Sequence, residues 1–406
     1  MKIRSKKKRR IVLKAVLIVV LTALFVIACE INNYIPKESA DYYCTKIFPY
    51  VSLPFQCISM FFQFSLTEGI VVCIFPLLAI GLICWLVFMI KKLMTRGALA
   101  FFYKSLRNLL ICCLVLAIIF QAMHGINYRR KSAVAELKLD TAEDLTFEDY
   151  CECLRWAYMG MIEARSHLGE DYNGVAHMDQ SFENNAVYAC SLLDKFSEKY
   201  DVPLTRNYVR AKPVSLSHYW SYTYIVGMYD PFLGEANINT DYMNITEFPI
   251  TLCHELCHAK GYASETDCNI IASLACCSSS RADFRYSGYC WIFWNIHSVT
   301  AKIASETGQV MPEYSSAPEM EDVYRDEYAS RLYWDKIDEE VDALKEMFNI
   351  DITETSSNVN DAFLKSNGEE GGVDTYVVPD SVYVRFYLTS CPFRLDLACG
   401  LAWHLW

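Results

Sequence analysis

The sequence lacks several patterns that would assign a function at once. No pair of CxxC units occurs among its 18 cysteines, which argues against a zinc site built from thiolates. No internal repeat is present. After residue 130 there is no excess of basic residues, because acidic side chains there far outnumber Lys and Arg. Such a segment would repel phosphate groups, so nucleic acid is not an expected partner.

Long apolar runs are confined to the first 130 residues, and the later apolar runs are too short to span a bilayer. Three runs, at about 11–29, 69–90 and 108–126, are close to the ~20 residues that a membrane-spanning helix needs. The sequence "FVIACEINNYIP" at the end of the first run offers no small-residue cleavage site. We therefore predict an uncleaved three-helix anchor in residues 1–130, with the lipid bilayer as partner.

The distribution of basic residues predicts the orientation of this anchor. The first ten residues contain seven Lys or Arg, and residues 91–107 contain five, whereas the loop between the first two runs contains two. Short basic segments remain on the cytoplasmic side of a membrane. The prediction is a multi-pass protein of the cell membrane, with a cytoplasmic amino terminus and an extracytoplasmic segment after the third helix.

The segment 131–376 predicts a mainly α domain with a small β-sheet. Helical spacing of apolar residues is present at about 141–200 and returns at 250–348. Between them, "YTYIVGMYDPFLGEANINT" mixes β-branched and aromatic residues with Gly, Pro and Asn, which is typical of short strands and turns. The sheet is thus expected just before the helix that begins near residue 250. Residues 377–406 form a divergent carboxy-terminal tail in this interpretation.

The stretch "ITLCHELCHAKGYASETDCN" contains the pattern HExxH. Pro249 suits the first turn of a helix, and Gly261 suits its end. His254 and His258 then lie on one helical face, where two imidazoles can bind one zinc ion. Glu255 can reach a water on the metal without binding the metal itself, as a general base. The rival interpretation is a buried helix with a hydrogen-bonded pair of histidines.

A catalytic zinc site needs a third protein ligand, and two acidic residues follow the turn at Gly261. Ser264 and Asp267 have the spacing of a capping box, which would start a second helix. Glu265 would then lie in its first turn, facing the histidines, and is the preferred third ligand. Asp267 is the alternative. Asn269, one turn further, could hydrogen-bond a ligand and orient it.

The motif and its surroundings resemble an uncharacterised bacterial membrane family of proposed zinc metallopeptidases. "HELCHAKGYASETDCN" is similar to the HExxH…ExxxN/D pattern of zincins whose third ligand is Glu. Further similar pieces are "FQFSLTEGI", "GINYRR", "GMYDPFLGEANIN", "FRYSGY" and "NDAFLKSNGEEGGVDTY". The resemblance extends to about Tyr376 and ends there. It implies a three-helix anchor, a zincin-like α+β domain, and Zn²⁺ on His254, His258 and Glu265.

The expected activity is hydrolysis of peptide bonds outside the cytoplasm, with Glu255 as general base. Tyr286, Tyr289 and Arg281 are candidate donors to the oxyanion that forms. The segment "GEANIN" is a candidate edge strand for pairing with a peptide or protein substrate. The alternative function is a catalytically silent, zinc-stabilised membrane sensor or binding domain. A purely structural site would have no need of a base at Glu255.

Overall fold

The computed structural model describes residues 2–141 and 144–390. Fifteen α-helices and three β-strands lie in these residues. The amino-terminal helices are α1 (Lys2–Glu30), α2 (Lys37–Tyr42), α3 (Phe48–Phe61), α4 (Leu66–Met94) and α5 (Ala98–Met123). The later helices are α6 (Ala133–Glu136), α7 (Phe147–Arg165), α8 (Phe182–Tyr200), α9 (Ser217–Ser221), α10 (Phe248–Ala259), α11 (Glu265–Cys277), α12 (Ala282–Thr307), α13 (Met320–Phe348), α14 (Ile352–Ser366) and α15 (Asp380–Ser390). The strands are β1 (Lys212–Pro213), β2 (Gly227–Asp230) and β3 (Glu235–Ile238).

Three helices of the described chain are long and apolar enough to cross a membrane, as predicted. The candidate spans are Ile11–Tyr34, Leu66–Met94 and Ala98–Met123. The third helix begins well before residue 108, where the prediction started it. The prediction counted only uncharged residues, whereas Lys104 lies inside the helix. Lysine is a good helix former, and its long side chain can extend toward the membrane surface. The first charged residue therefore marks the end of the uncharged run but not the start of the helix.

The segment between the first two candidate spans is folded and packs against the domain that follows α5. Gln56 on α3 donates its side-chain amide to the carbonyl of Ala259, at 2.9 Å. Asn207 donates to the carbonyl of Pro49, at 2.7 Å. These contacts require this segment and the domain after α5 to lie on the same side of the membrane. A chain that crosses three times meets this requirement.

The predicted small sheet is present just before α10, but its strand order corrects one expectation. The order is β1-β3-β2, with β1 parallel and β2 antiparallel to β3. The "GEANIN" segment forms β3, which is central and buried, so the expectation that it is an edge strand is wrong. A strand with neighbours on both sides has no free hydrogen-bonding edge. The edge strands of the sheet are β1 and β2.

A buried ion pair joins the sheet to the start of the second span. The ammonium of Lys212 on β1 lies 2.8 Å from the carboxylate of Glu235 on β3, and both side chains are fully buried. Glu235 also accepts hydrogen bonds from the backbone amide and hydroxyl of Thr67, at 2.8 and 2.6 Å. Ser59 donates to the same carboxylate at 3.0 Å. The first turn of α4 is thus fastened to the central strand.

The hydrophobic core lies among α7, α8, α10, α11 and α12. No disulfide joins the cysteines of the described residues, and many of these cysteines act as small core side chains. The tail predicted to be divergent starts at residue 377, and its helix α15 packs on α7 and α12 with Tyr383 and Val384 fully buried. The first part of that tail is thus a core helix. Residues 391–406 lie outside the described residues.

Candidate metal centre

Two helices and the turn between them bring the predicted ligands together. Pro249 lies in the first turn of α10, where its missing amide hydrogen costs nothing. Gly261 ends the helix with a φ of +102°, which glycine adopts without strain. The chain reverses there and α11 begins at Glu265. As a result, His254, His258 and Glu265 form a cluster whose possible ligand atoms lie within 4.8 Å of one another.

The three donor atoms of this cluster are spaced as a tetrahedral metal site requires. The Nε2 of His254 lies 3.0 Å from Oε2 of Glu265, and the two Nε2 atoms lie 3.1 Å apart. The Nε2 of His258 lies 3.4 Å from Oε2 of Glu265. Zinc bound at about 2.0–2.1 Å to each donor requires separations of about 3.3 Å. The residues present therefore fit a zinc ion.

The neighbours of the two imidazoles fix their tautomers. Nδ1 of His254 lies 2.7 Å from Oδ1 of Asn269, whose own amide donates to the carbonyl of Tyr376 at 2.8 Å. This second bond orients the amide, so its oxygen must accept from His254. Nδ1 of His258 lies 2.9 Å from the carbonyl of Tyr262, which can only accept. Both rings thus carry hydrogen on Nδ1 and direct Nε2 into the cluster.

The arrangement concentrates acceptors and needs a positive charge at its centre. Two Nε2 lone pairs and a carboxylate oxygen converge with no donor among them, unless a proton or a metal ion is added. Burial works to lower the pKa of His258, but the neighbouring Glu265 raises it to about 9. Burial works to raise the pKa of Glu265, but the two imidazoles hold it well below its usual range. A divalent cation would supply this positive charge and would be bound by all three of these atoms.

The predicted base and the alternative third ligand occupy different surroundings. Glu255 is buried, burial raises its pKa, and no hydrogen-bond donor reaches its carboxylate within the described chain. It packs against β2, where a Cβ on Gly227 would lie 2.6 Å from Oε1 of Glu255. Asp267 faces away from the cluster and accepts from the backbone amide of Ala133, at 2.8 Å. The expected capping box is wrong, because Ser264 makes no side-chain cap.

Three aromatic residues that the sequence analysis did not select lie beside the cluster. The ring of His124 is 5.9 Å from that of His258, and its Nε2 lies 3.2 Å from the phenol of Tyr128. The ring of Tyr376 stacks 6.5 Å from that of His254, and burial together with the nearby Glu265 carboxylate raises the pKa of its phenol. Two of these residues lie in sequence pieces quoted above for their resemblance to the family. Tyr128 is part of "GINYRR", and Tyr376 ends "NDAFLKSNGEEGGVDTY".

The three oxyanion donors expected from the sequence have other contacts. The phenol of Tyr286 donates to Asp326 at 2.8 Å. The guanidinium of Arg281 donates to Asp283 and to Asn185. The structure therefore corrects the predictions for Tyr286 and Arg281, because both side chains are hydrogen-bonded to partners outside the cluster. The third candidate, Tyr289, packs edge-on against Trp156 on α7, with ring centroids 5.2 Å apart.

The fold and the cluster together define a mainly helical, membrane-associated protein with a buried His/His/Glu group that could hold a metal ion. The chain belongs to the family described as "protein of unknown function (DUF3810)", which matches residues 43–378. The matched region includes the cluster, the three neighbouring aromatic residues and two of the three candidate spans. No curated protein and no solved structure matches the chain.

Proposed function

We propose that this protein is a membrane-anchored zinc metallopeptidase that hydrolyses peptide bonds outside the cytoplasm. The observation that carries the proposal is the convergence of His254, His258 and Glu265 with both tautomers fixed, next to a buried carboxylate without a donor. When bound there, zinc supplies a Lewis acid and makes water more acidic near neutral pH. The charge pattern of the amino-terminal third supports the extracytoplasmic location.

The residues around the cluster have separate tasks in this proposal. Asn269 and the carbonyl of Tyr262 orient the two imidazoles, as outer partners of metal ligands commonly do. Glu255 accepts the proton of the attacking water and transfers it to the leaving amine. Because burial raises the pKa of this carboxyl, it is a stronger base than an exposed glutamate. A silent sensor or binding domain would not need a carboxylate in this position.

Tyr376 is the side chain best placed to stabilise the oxyanion, because its phenol lies at Glu265 and beside His254. Tyr376→Phe is expected to lower kcat by roughly 10²–10³-fold, as the loss of one oxyanion donor does. Zinc content should be unchanged, since Tyr376 uses only its backbone carbonyl to hold Asn269. Tyr333→Phe is the control, because that phenol donates to Asp241. Equal kcat for both variants would remove Tyr376 from the mechanism.

Gly227 on β2 is needed for the close approach of the strand to Glu255. A Cβ there would lie 2.6–2.9 Å from three atoms of that side chain. Gly227→Ala is expected to displace the carboxylate and lower activity by about 10²-fold, the effect of a displacement of about 1 Å. Zinc should remain bound. The control is Gly69→Ala, where no atom lies within 4 Å of the added methyl group. Full activity of the Gly227 variant would contradict the assigned position of the base.

The free edge of β2 offers a place for an extended substrate. Within the described residues β2 pairs on one side only, with β3, and its first residue touches Glu255. A peptide that adds to this edge would pass the base and the cluster together. Main-chain hydrogen bonds would hold the peptide, and side-chain pockets would set the preference for sequence.

The proposal is tested with the full-length chain in detergent and a library of peptides. Cleavage is expected with zinc, should stop after chelation, and should return when zinc is added back. Product masses would identify the bonds that are cut. Cleavage that is insensitive to chelation, or no cleavage of any peptide by zinc-loaded protein, would contradict the assigned activity. In the second case the zinc-stabilised binding domain would be the better account.

A further inference from the structure

The candidate metal centre lies beside the end of the third candidate span. His124 is the first residue after α5, and its side chain is buried. Its ring is 5.9 Å from that of the proposed ligand His258 and 5.5 Å from that of Tyr229 on β2. One side chain thus connects the end of an apolar helix to the cluster.

The start of the second candidate span also lies close to the candidate metal centre, through a separate set of contacts. The hydroxyl of Ser65, the residue before α4, donates to Asn237 on β3 at 2.6 Å. The amide of Thr67, in the first turn, donates to Glu235 at 2.8 Å. Since β3 pairs with β2, and Gly227 on β2 touches Glu255, only the two strands β3 and β2 separate the start of this span from the proposed base.

Two aromatic side chains of the domain that follows α5 also contact the third candidate span itself. Phe120 lies one turn before the end of α5, and its ring contacts Phe232, in the turn between β2 and β3, at 6.3 Å. It also contacts Phe363 on α14, at 6.0 Å. Phe232 and Phe363 are both more than a third exposed. Aromatic side chains concentrate at the boundary between lipid and water.

These contacts limit the height of the cluster above the bilayer. His124 directly follows α5 and its ring is 5.9 Å from that of His258, so adding the lengths of the side chains places the cluster within roughly 10 Å of the end of α5. An extended chain covers about 3.3–3.6 Å per residue. A peptide bond at the cluster would therefore lie about three residues from the end of a spanning helix in the same membrane.

From this placement, we infer that the substrate is a polypeptide anchored in the same bilayer, cut within a few residues of its spanning segment. The inference rests on the proposed peptidase function and names its substrate class. The juxtamembrane segment of an anchored chain is already at the correct height.

The test uses the full-length protein in liposomes with three substrates that carry the same randomised peptide segment. In the first, the segment directly follows a single spanning helix. In the second, a helical spacer of about 30 residues, on the order of 45 Å long, separates the segment from that helix. The third is the free peptide. The first two are equally confined to the membrane, so they differ only in height. Glu255→Gln protein serves as the negative control.

The adjacent segment is expected to be cut at least about tenfold faster than the segment behind the spacer, because a rigid spacer prevents simultaneous anchoring and binding. Equal rates for these two substrates, with cleavage intact, would overturn the inference and leave the peptidase function standing. No cleavage of any of the three would instead contradict the peptidase function itself. Fatty acid released from the liposome lipids without peptide cleavage would overturn both.

Discussion

Glu255→Gln is expected to lower the rate of peptide hydrolysis by roughly 10²–10⁴-fold, the usual contribution of a general base. Glutamine has nearly the same shape as glutamate but cannot accept a proton. The side chain packs against Gly227 and accepts no hydrogen bond from the described residues, so the substitution breaks none. Zinc content should therefore match that of the unmodified protein. The measurement is kcat/KM for one cleaved peptide, together with the metal content of the same sample.

A matched control for this variant is Glu247→Gln. Glu247 precedes α10 and, unlike Glu255, is exposed, but desolvation by neighbouring side chains, with a contribution from Glu327, raises its pKa to about 7. It lies two helical turns from His254, so its replacement should leave hydrolysis unchanged. If both variants lost activity equally, the loss would reflect the fold rather than proton transfer. Activity that survived in the Glu255 variant alone would contradict the assigned base.

Lys212→Met is expected to destabilise the protein by about 3–5 kcal/mol, the cost of leaving one member of a buried ion pair without its partner. Burial works to raise the pKa of Glu235, but hydrogen bonds from Lys212 and Thr67 bring it below its usual value, so the carboxylate is charged at neutral pH. Removing the ammonium leaves that charge fully buried. The apparent melting temperature in detergent should fall by at least about 5 °C.

The matched control for this prediction is Arg206→Met, which breaks the ion pair with Glu198. Both of those side chains are about 60% exposed, and exposed pairs contribute little to stability. The melting temperature of the control should thus stay close to that of the unmodified protein. A Lys212 variant as stable as this control would contradict the expected cost of leaving Glu235 buried without its partner.

Much of the cluster could be predicted from the sequence because its determinants are local. The spacing of His254 and His258, the turn at Gly261 and the position of Glu265 all lie within twelve residues. The three apolar runs and the small sheet have equally local signals, namely uninterrupted hydrophobic residues and a change from helical to strand-type composition. These features depend on nearest neighbours along the chain, which the sequence displays directly.

Long-range contacts could not be predicted in the same way. Tyr376 reaches the cluster from more than a hundred residues away, and Tyr286, although closer in sequence, is bound to Asp326 on a different helix. The segment between the first two spans has no sequence pattern that assigns it to the domain, yet Gln56 bonds Ala259. The position of β3 between two strands depends on pairing order, which composition does not encode. The contact of Gln56 with Ala259 thus crosses the boundary that the sequence analysis places at residue 130.

The most direct test of the account is the metal content of the purified full-length chain. We expect one zinc ion per chain, lost in His254→Ala, His258→Ala and Glu265→Ala. Asp267→Asn should retain it, because Asp267 faces Ala133 and an asparagine oxygen can accept the same hydrogen bond. Asn269→Ala should weaken zinc binding by roughly 10–100-fold. Protein that binds no zinc at micromolar concentration, or that loses it through Asp267→Asn but not Glu265→Ala, would contradict the proposed centre.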